Sequence, residues 1–463
     1  MENNKQLSYR NKIILAPMVK INTLPMRLLA LDYGADIVYT EELIDYKLLN
    51  CHRKVNDTLN SVDFIDKSDG TVVFRTCPRE KPFVVLQIGT NDPSRAAMVA
   101  KLVYVEYDLT GVRLEYDVAG IDINMGCPKG FSLKGGMGAA LLNQSDKACA
   151  ILSAVISTVS IPVTCKIRIL RDINETVSLC KKLAATGIAA IGIHGRRIHE
   201  RPIHENRNNV IKAVSEALEI PVIANGGSKD IKVYEDIEKF KIVTGCSSVM
   251  IARSAEKNCS IFKRDGKLEV PAVIRDYLHH AINYDSVAAN TKYCVQNMMG
   301  NVHETELGRT FLETSTLQEI CDLWQLGDYC REKQKKMNML RFEERDLACN
   351  DQKRIKPNPV DETQDDINSL KCMYIRSLYP MPEDLPKTKL LNWAKTHRKP
   401  LPKYHTEQFE KLFKSIVTFD NKKYSSLFWE KNKRCAEQGS AIVCLYFLNV
   451  YDMEYLKING ILG

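Results

Sequence analysis

A cysteine flanked by glycine and proline is the residue of this sequence best placed to do chemistry. Cys127 stands in the run Asn124-Met125-Gly126-Cys127-Pro128-Lys129, directly after an apolar run that predicts a buried strand. A thiol on a loop at the end of a strand could act as nucleophile, metal ligand or general acid. An unperturbed thiol, with a pKa of about 8.5, is protonated near neutrality, as an acid requires. No second cysteine or histidine lies close by in the sequence, so we predict no metal site; an inert loop thiol is the structural alternative.

Other strand-like runs also end in residues that can hold a ligand. Gln87, Lys166 and His194 end three of them and offer donors to a planar, electron-rich heterocycle. The last two runs end in Asn225-Gly226-Gly227 and in Ala252-Arg253, where barrels commonly bind a phosphate through backbone N–H groups. A phosphate and a ring together suggest flavin mononucleotide (FMN). The alternative is a phosphorylated sugar substrate in an aldolase- or isomerase-type barrel.

The elements that must position these residues recur through the first ~255 residues. Continuous apolar runs, typical of strands buried on both faces, occur at Lys12–Met18, Ile37–Glu42, Phe83–Gly89, Ile121–Gly126, Pro162–Ile169, Ala189–Gly195, Pro221–Gly227 and Ser248–Arg253. Amphipathic segments lie between them, such as Asp92–Val105 and Asn174–Thr186. The pattern predicts fold class α/β, as a (β/α)8 TIM barrel. A doubly wound open sheet is the alternative, although no GxGxxG follows the first run. An extra hairpin is expected within Val55–Lys81, with Val72–Thr76 as one arm.

Three further segments follow the barrel, which we assign to residues 10–268. Residues 269–340 have helical periodicity and predict a small helical domain; Ser315–Lys333 is its last helical segment. Residues 341–380 have little periodicity and predict a linker. Residues 381–455 predict an αβββα unit: helix Lys387–His397, strands Lys403–Glu410, Phe413–Phe419 and Lys423–Trp429, and helix Lys431–Leu448, with Asp420-Asn421 as a hairpin turn.

Composition and charge narrow the class of protein. The 463 residues are 44% hydrophobic and 26% charged, which excludes a disordered chain. The net charge is +8, and Pro386 to Arg434 hold 13 Lys/Arg against 4 Asp/Glu. Such a segment is typical of a nucleic-acid partner, and a solvated face is the alternative. The scattered cysteines, the polar N-terminus and the absence of an eighteen-residue apolar run predict a cytoplasmic protein without membrane contact. We expect a monomer.

The strand-end motifs together resemble the dihydrouridine synthases. The resemblance covers roughly residues 10 to 340 and rests on these runs: Leu15-Ala16-Pro17-Met18, Gln87-Ile88-Gly89, Ile121 to Lys129, Lys166-Ile167-Arg168, Ile193-His194-Gly195-Arg196 and Asn225-Gly226-Gly227. This family consists of flavin barrels with an appended helical domain, and its members reduce uridine in tRNA. The C-terminal αβββα unit resembles a double-stranded-RNA-binding domain. The combination resembles the eukaryotic subgroup that acts on position 20 of tRNA.

The resemblance implies reduction of the C5=C6 bond of a D-loop uridine to 5,6-dihydrouridine. Cys127 would donate the proton to C5 and reduced flavin the hydride to C6, after NAD(P)H, taken to be NADPH, has reduced the flavin and left. The residues implied to hold FMN are Pro17, Met18, Gln87, Lys166, His194, Asn225, Gly226, Gly227, Ala252 and Arg253. Asn124 and Arg168 are candidates to contact the uracil edge and nearby backbone. The candidates to bind tRNA are Lys387, Lys389, Lys395, Arg398, Lys399, Lys431, Lys433 and Arg434.

The C-terminal unit departs from the usual RNA-binding pattern. Glu410-Lys411-Leu412 stands where a Gly-Pro-x-His element is usual, and Glu437 occupies a position that is usually basic. We therefore expect docking on one face of a folded tRNA instead of a two-groove clamp on long duplex RNA. A protein-interaction role is the alternative. In the barrel, Ser254-Ala255-Glu256-Lys257 lacks the family's usual glycine-asparagine sequence.

Two other functions compete with this interpretation. An FMN ene-reductase or dihydroorotate-type reductase of a free metabolite would need neither the basic segment nor the αβββα unit. A non-catalytic RNA-binding scaffold would not need intact Cys127, Lys166 and His194.

Overall fold

The computed structural model describes residues 7–68, 70–105, 115–300, 304–353, 367–379, 381–409, 412–430 and 432–462. Its strands are β1 (Ile13–Leu15), β2 (Ile37–Tyr39), β3 (Leu43–Ile44), β4 (Cys51–Asn56), β5 (Ser61–Asp66), β6 (Val72–Thr76), β7 (Val84–Gly89), β8 (Tyr104–Val105), β9 (Glu115–Tyr116), β10 (Gly120–Met125), β11 (Val163–Arg168), β12 (Ala190–His194), β13 (Val222–Asn225), β14 (Ser248–Ile251), β15 (Ile367–Leu370), β16 (Lys403–Phe409), β17 (Leu412–Phe419) and β18 (Lys422–Ser426).

The helices are α1 (Leu24–Asp32), α2 (Asp45–Leu49), α3 (Pro93–Leu102), α4 (Gly130–Lys134), α5 (Ser145–Ile156), α6 (Ile173–Ala184), α7 (Asn208–Ala217), α8 (Glu235–Thr244), α9 (Arg253–Lys257), α10 (Val270–Asn283), α11 (Ala288–Met299), α12 (Glu306–Glu313), α13 (Leu317–Leu323), α14 (Gly327–Lys353), α15 (Pro386–Thr396), α16 (Lys433–Phe447) and α17 (Met453–Ile458). Within the described ranges, none of them is long and apolar enough to cross a membrane.

Eight parallel strands close into a barrel. Their order is β1, β2, β7, β10, β11, β12, β13 and β14, and β14 pairs again with β1. The predicted TIM barrel is therefore confirmed, and closure excludes the open sheet. The strands read as continuous apolar runs because one face lines the packed interior while the other lies under the helices. Each of the eight predicted runs coincides with one barrel strand, and only β10 begins outside its run, one residue earlier at Gly120.

A three-stranded antiparallel sheet interrupts the barrel after β2. β4 pairs with β5, and β5 pairs with β6, whose residues are those of the predicted hairpin arm Val72–Thr76. Phe64 and Phe74 pack with ring centroids 5.3 Å apart, and Arg75 pairs with the nearly buried Asp63 at 2.6 Å. The sheet thus has one strand more than the predicted hairpin, because β4 begins before the interval in which the hairpin was sought.

The chain divides into two compact units: residues 1–286 with 290–309, and residues 287–289 with 310–463. The second unit begins with helices where helical periodicity was predicted. Ser315–Lys333, however, contains two helices, since α13 ends at Leu323 and α14 begins at Gly327. Gln325 between them has a left-handed backbone, with φ of 61°. Thr316 starts α13 with a capping box to Glu319.

The C-terminal order α15-β16-β17-β18-α16 is the predicted αβββα arrangement. Asp420 and Asn421 both have positive φ, at 49° and 62°, as a type I′ hairpin turn requires. β15 adds a fourth strand that runs parallel to β18. Part of the segment predicted as a linker, 341–380, is therefore regular structure: α14 continues to Lys353, and β15 follows at Ile367.

Other residues of the predicted linker either belong to the hydrophobic core of the C-terminal domain or lie outside the described chain. Cys372, Met373, Tyr374 and Ile375 are buried in the core of the C-terminal domain, which they share with α15 and α16. Such short segments lack the periodicity that sequence patterns detect, because their burial depends on partners in other elements, α15 and α16. Residues 354–366 lie outside the described chain.

Candidate active site

The barrel brings the predicted site residues of its strands to one end. Because all eight strands are parallel, their C-terminal ends meet at the same mouth. The residues that lie there are Pro17 and Met18 after β1, Gln87 in β7, Asn124 in β10 with Cys127 after it, Lys166 and Arg168 in β11, His194 in β12, Asn225 in β13 with Gly226 and Gly227 after it, and Ala252 and Arg253 after β14.

A buried hydrogen-bond network lies inside the barrel. Gln87 donates through Nε2 to Oδ2 of Asp122 at 2.8 Å, and Thr164 donates to Oδ1 of the same carboxyl at 2.7 Å. Asn124 donates through Nδ2 to Oε1 of Gln87 at 3.0 Å. Both ends of the Gln87 amide therefore have partners within the barrel, and the network fixes the direction of each amide.

The same network positions the Cys127 loop. Oδ1 of Asn124 accepts hydrogen bonds from the backbone N–H groups of Gly126 and Cys127, both at 2.9 Å. Nε of Arg168 donates to the Gly126 carbonyl at 2.8 Å. Asn124 and Arg168, predicted as uracil contacts, thus hold the backbone on which the thiol is carried. The structure leaves each of them donor groups beyond these bonds.

Burial shifts the pKa of Asp122 upward. Desolvation raises it from 3.8 to about 6, against the lowering effect of the hydrogen bonds from Thr164 and Gln87 and of the Lys166 charge. The folded protein therefore binds a proton more tightly than the unfolded chain between about pH 4 and pH 6. This group's contribution to the free energy of unfolding falls as the pH rises through that window.

Asp122→Asn is expected to remove this pH dependence. Between about pH 4 and pH 7, the free energy of unfolding of the wild type should fall relative to that of the variant by up to about 3 kcal/mol. Rearranged hydrogen bonds add an offset that does not change with pH. Urea denaturation at both pH values measures the difference, with Asp57→Asn, an exposed turn residue, as control. Parallel pH profiles for wild type and Asp122→Asn would contradict the prediction.

The thiol of Cys127 is held in its protonated form. Burial is the largest cause and raises its pKa to about 11; the Glu42 carboxyl adds to the effect, while the Lys129 N–H and the Ser132 hydroxyl oppose it. A nucleophile or a metal ligand needs the thiolate. The environment therefore favours the general acid among the three roles open to this residue.

Two basic groups face the same mouth. Burial, with the Arg168 charge, lowers the pKa of Lys166 to about 8, and the described residues include no ion-pair partner for its ammonium. Burial and the neighbouring cations keep the pKa of His194 well below its usual range, so the ring is neutral. Nη1 of Arg196 lies 3.1 Å from Nε2 of His194; Nε2 is the acceptor, and Nδ1 carries the hydrogen.

The loop after β13 requires glycine. Gly226 has a φ of 110°, and a side chain there would overlap Asn206. A Cβ on Gly227 would lie 2.6 Å from the Phe240 ring. Asn225 is fixed by a 2.8 Å hydrogen bond from Nδ2 to the Met250 carbonyl. Glycine is thus required here for packing against Asn206 and Phe240, and the neighbouring Arg196 and Arg253 charges suit an anion.

Sequence analysis missed three residues of this site. Arg196 is 4% exposed and bonds both His194 and the Gly226 carbonyl, the latter at 2.9 Å. Ser132 lies beside Cys127, since both would contact a Cβ added at Gly138, and the Glu42 carboxyl acts on the thiol electrostatically. Arg196 belongs to the family-like run Ile193 to Arg196, and Glu42 ends a predicted strand, so the sequence offered a signal for both. No spacing rule, however, connects positions 42, 127 and 132.

The structure separates the predicted RNA-binding residues of the C-terminal domain. Lys433 and Arg434 form the first turn of α16, near the Phe413–Glu430 bridge where β17 starts. Lys395 and Arg398 lie at the C-terminal end of α15, beside the turn that follows β17. Lys399 forms a 2.8 Å ion pair with Asp420 of that turn. Eight strand residues put these ends roughly 25 Å apart.

Two other lysines contact their own domain. Lys387 pairs with Glu437, and its Nζ lies 4.5 Å from the centre of the Tyr404 ring. Nζ of Lys389 lies 5.0 Å from the centre of the Tyr451 ring. Lys431 lies outside the described residues. The structure therefore brings the predicted RNA-binding residues together in two groups instead of one.

Comparisons with known proteins agree with the motifs at the barrel mouth. The family model described as dihydrouridine synthase (Dus) matches residues 14–339. A Schizosaccharomyces pombe protein named tRNA-dihydrouridine(20) synthase [NAD(P)+] is 38% identical over 307 residues, which are 63% of this chain and 60% of that protein. The chain thus spans less than two thirds of that relative's length.

A Saccharomyces cerevisiae protein of the same name is 35% identical over 312 residues, covering 63% of this chain and 78% of that protein. Among solved structures, a tRNA-dihydrouridine(20) synthase dsRBD domain is 38% identical, with a TM-score of 0.17, and covers 18% of this chain and 88% of that one.

Proposed function

The chain belongs to the dihydrouridine synthase family, and from this premise we propose that it reduces the C5=C6 bond of a D-loop uridine in tRNA, at position 20, with FMN as cofactor and NAD(P)H as reductant. The two yeast relatives carry the name of that activity. The cytoplasmic location and the monomeric state stay predictions.

The observation that carries the proposal is a protonated thiol in an electropositive barrel mouth. Reduction of a C5=C6 bond needs a hydride at one carbon and a proton at the other. Cys127 would donate its S–H proton to C5, and its raised pKa means that the proton is present across the neutral range. Asn124 and Arg168 hold the loop, so the sulfur is placed before the base arrives.

The residues present fit FMN. Lys166 offers an unpaired ammonium, and Nδ1–H of His194 has no partner within the part of the chain that the structure describes. Gly226 and Gly227 lie beside the Arg196 guanidinium, which donates to the Gly226 carbonyl at 2.9 Å, and its positive charge would favour an anionic phosphate nearby. When bound and reduced, FMN would supply the hydride. The other residues that would hold it are Pro17, Met18, Gln87, Asn225, Ala252 and Arg253, and Gln87 is kept in place by Asp122.

Access to Cys127 requires the target base to leave its stack. The thiol is half-buried in a barrel mouth and cannot reach into a folded tRNA arm, so the uridine must turn out of the helix or loop. The charges that would hold the tRNA backbone are Lys433 and Arg434, with Lys395 and Arg398 at the far end of the same sheet. Lys387, Lys389 and Lys399 contribute charge while bound to their own domain.

A nucleoside assay tests the proposal. Purified protein with NADPH and unmodified tRNA should give a two-dalton gain on one uridine, mapped by mass spectrometry to the D-loop, and the protein should carry FMN. A flavin that NADPH reduces, without any gain on tRNA, would favour the reductase of a free metabolite. Protein without flavin and without uptake of it would favour the RNA-binding scaffold.

A further inference from the structure

Residues 127–138 form a loop that returns to its own start. The chain leaves β10 through Cys127, forms α4 and comes back at Gly138, and the Ala139 N–H donates to the Cys127 carbonyl at 3.1 Å. The return is tight, because a Cβ on Gly138, whose φ is 57°, would lie 2.8 Å from that carbonyl oxygen and 3.0 Å from the Cβ of Cys127. Ser132 is buried in α4, whose other residues are exposed, so side-chain packing holds this helix weakly. The position of Cys127 therefore depends on what else holds the loop.

A side chain from a neighbouring barrel strand bonds the far end of this loop. Nδ2 of Asn91 donates to the Gly135 carbonyl at 2.5 Å, where α4 ends. Gly136 then turns the chain with a φ of 68°, and a Cβ there would lie 3.4 Å from the same Nδ2. Within the described residues, Asn91 and Asn124 are the side chains that hydrogen-bond the backbone of residues 127–138 from outside the loop. The loop is thus held at its start and at its turn.

Arg95 and Asp45 fix the direction of the Asn91 amide. Nη2 of Arg95 donates to Oδ1 of Asn91 at 2.5 Å, so Nδ2 is the end that faces Gly135. Nε of Arg95 donates to Oδ2 of Asp45 at 2.8 Å, and the Thr90 hydroxyl donates to the same oxygen at 2.7 Å. Asp45 is fully buried, and burying a carboxylate is costly unless donors compensate its charge. These bonds therefore form a continuous network that ends at the loop.

The network is fixed to the mouth of the barrel. Thr90 and Asn91 directly follow β7, and Asp45 begins α2 after β3, which pairs with β7. Cys127 follows β10, the neighbour of β7 in the barrel. The bond to Gly135 thus braces the loop of one strand against the end of the next.

We propose that Asn91 is a positioning residue, which with Arg95 and Asp45 holds the loop so that the Cys127 thiol is in place before the target base arrives. Asn124 fixes the start of the loop, and Asn91 fixes the turn from which the chain comes back. A loop held at its start alone would let the thiol move away from C5, and a displacement of about 1 Å can cost about 10²-fold in rate. The role rests on the proposed function, but the anchoring of the loop does not require tRNA.

Asn91→Asp isolates the bond to the loop. The carboxylate can still accept from Arg95 but cannot donate to the Gly135 carbonyl, and α3 keeps its own N-cap. Hydrogen–deuterium exchange of the purified protein with its cofactor, read by mass spectrometry, should show residues 131–139 exchanging about tenfold faster than in the wild type. Asn297→Asp is the matched control, since it removes an equivalent bond from Nδ2 to a carbonyl at 2.8 Å within α11.

The reaction with tRNA gives the second readout. When NADPH-reduced Asn91→Asp is mixed with saturating tRNA, flavin reoxidation should be about 10- to 100-fold slower, with an unchanged KM for tRNA and unchanged flavin reduction by NADPH. Exchange of residues 131–139 at the wild-type rate would overturn the proposal, as would wild-type reoxidation in spite of faster exchange. So would a raised KM with an unchanged saturating rate, because the loop would then contact substrate instead of placing the thiol. Faster exchange in a protein that leaves tRNA unreduced would support the anchor and refute the proposed function.

Discussion

Cys127→Ala is expected to abolish dihydrouridine formation, by at least about 10²-fold, while flavin content and flavin reduction by NADPH stay unchanged. The factor is that of a lost general acid. The loop should keep its shape, because it is held by backbone groups: Asn124 accepts from the Cys127 N–H, and the Cys127 carbonyl accepts from the Ala139 N–H at 3.1 Å. Rapid mixing of the reduced variant with tRNA, following flavin reoxidation, measures the step.

Cys149→Ala is the matched control for this experiment. Cys149 is also only partly buried, and it lies in α5 on the outer wall of the barrel, where its sulfur faces the Lys182 carbonyl at 3.7 Å. This variant should reoxidise at the wild-type rate. Loss of flavin from Cys127→Ala would contradict the assignment, since the residue would then support the cofactor instead of protonating the base.

The double charge reversal Lys433→Glu with Arg434→Glu is expected to weaken tRNA binding about 10- to 100-fold and to lower the salt slope by about two. Both residues lie in the first turn of α16, where the helix dipole interacts favourably with acidic side chains. The helix should therefore remain folded. Asn432, which caps the helix through the Cys435 N–H at 2.8 Å, is untouched. Binding is measured by titration at several salt concentrations.

The control for that variant must change the net charge equally. Lys212→Glu with Lys239→Glu does so on α7 and α8, at side chains that are 53% and 72% exposed. Point variants are preferable to deletion of residues 381–463, because that deletion would leave Cys372 and Tyr374 without the core they share with α16. An unchanged tRNA affinity and salt slope in the α16 variant would contradict the prediction and favour a protein-interaction role for the C-terminal domain.

The sequence by itself determined the barrel and the place of its site. A strand between a packed interior and a layer of helices is apolar on both faces, so Ile121 to Met125 is recognisable without any partner. The residue after such a strand lies at the mouth, and this applies to Cys127 and to Gly226. The hairpin turn at Asp420-Asn421 was also predictable from local sequence, because both residue types tolerate positive φ.

Only the tertiary structure decided which groups act on one another. Asn124 and Arg168 resemble ligand contacts in sequence, but their closest bonds hold the Cys127 loop. β15 is a strand because β18 offers it an edge, and Lys399 is tied to Asp420 by the fold of the sheet. Glu42 lies 85 positions before Cys127, and yet its carboxyl adds to the rise of the thiol pKa. Pattern and propensity act over a few residues, whereas burial and electrostatics depend on distance in space, which only the closed barrel sets.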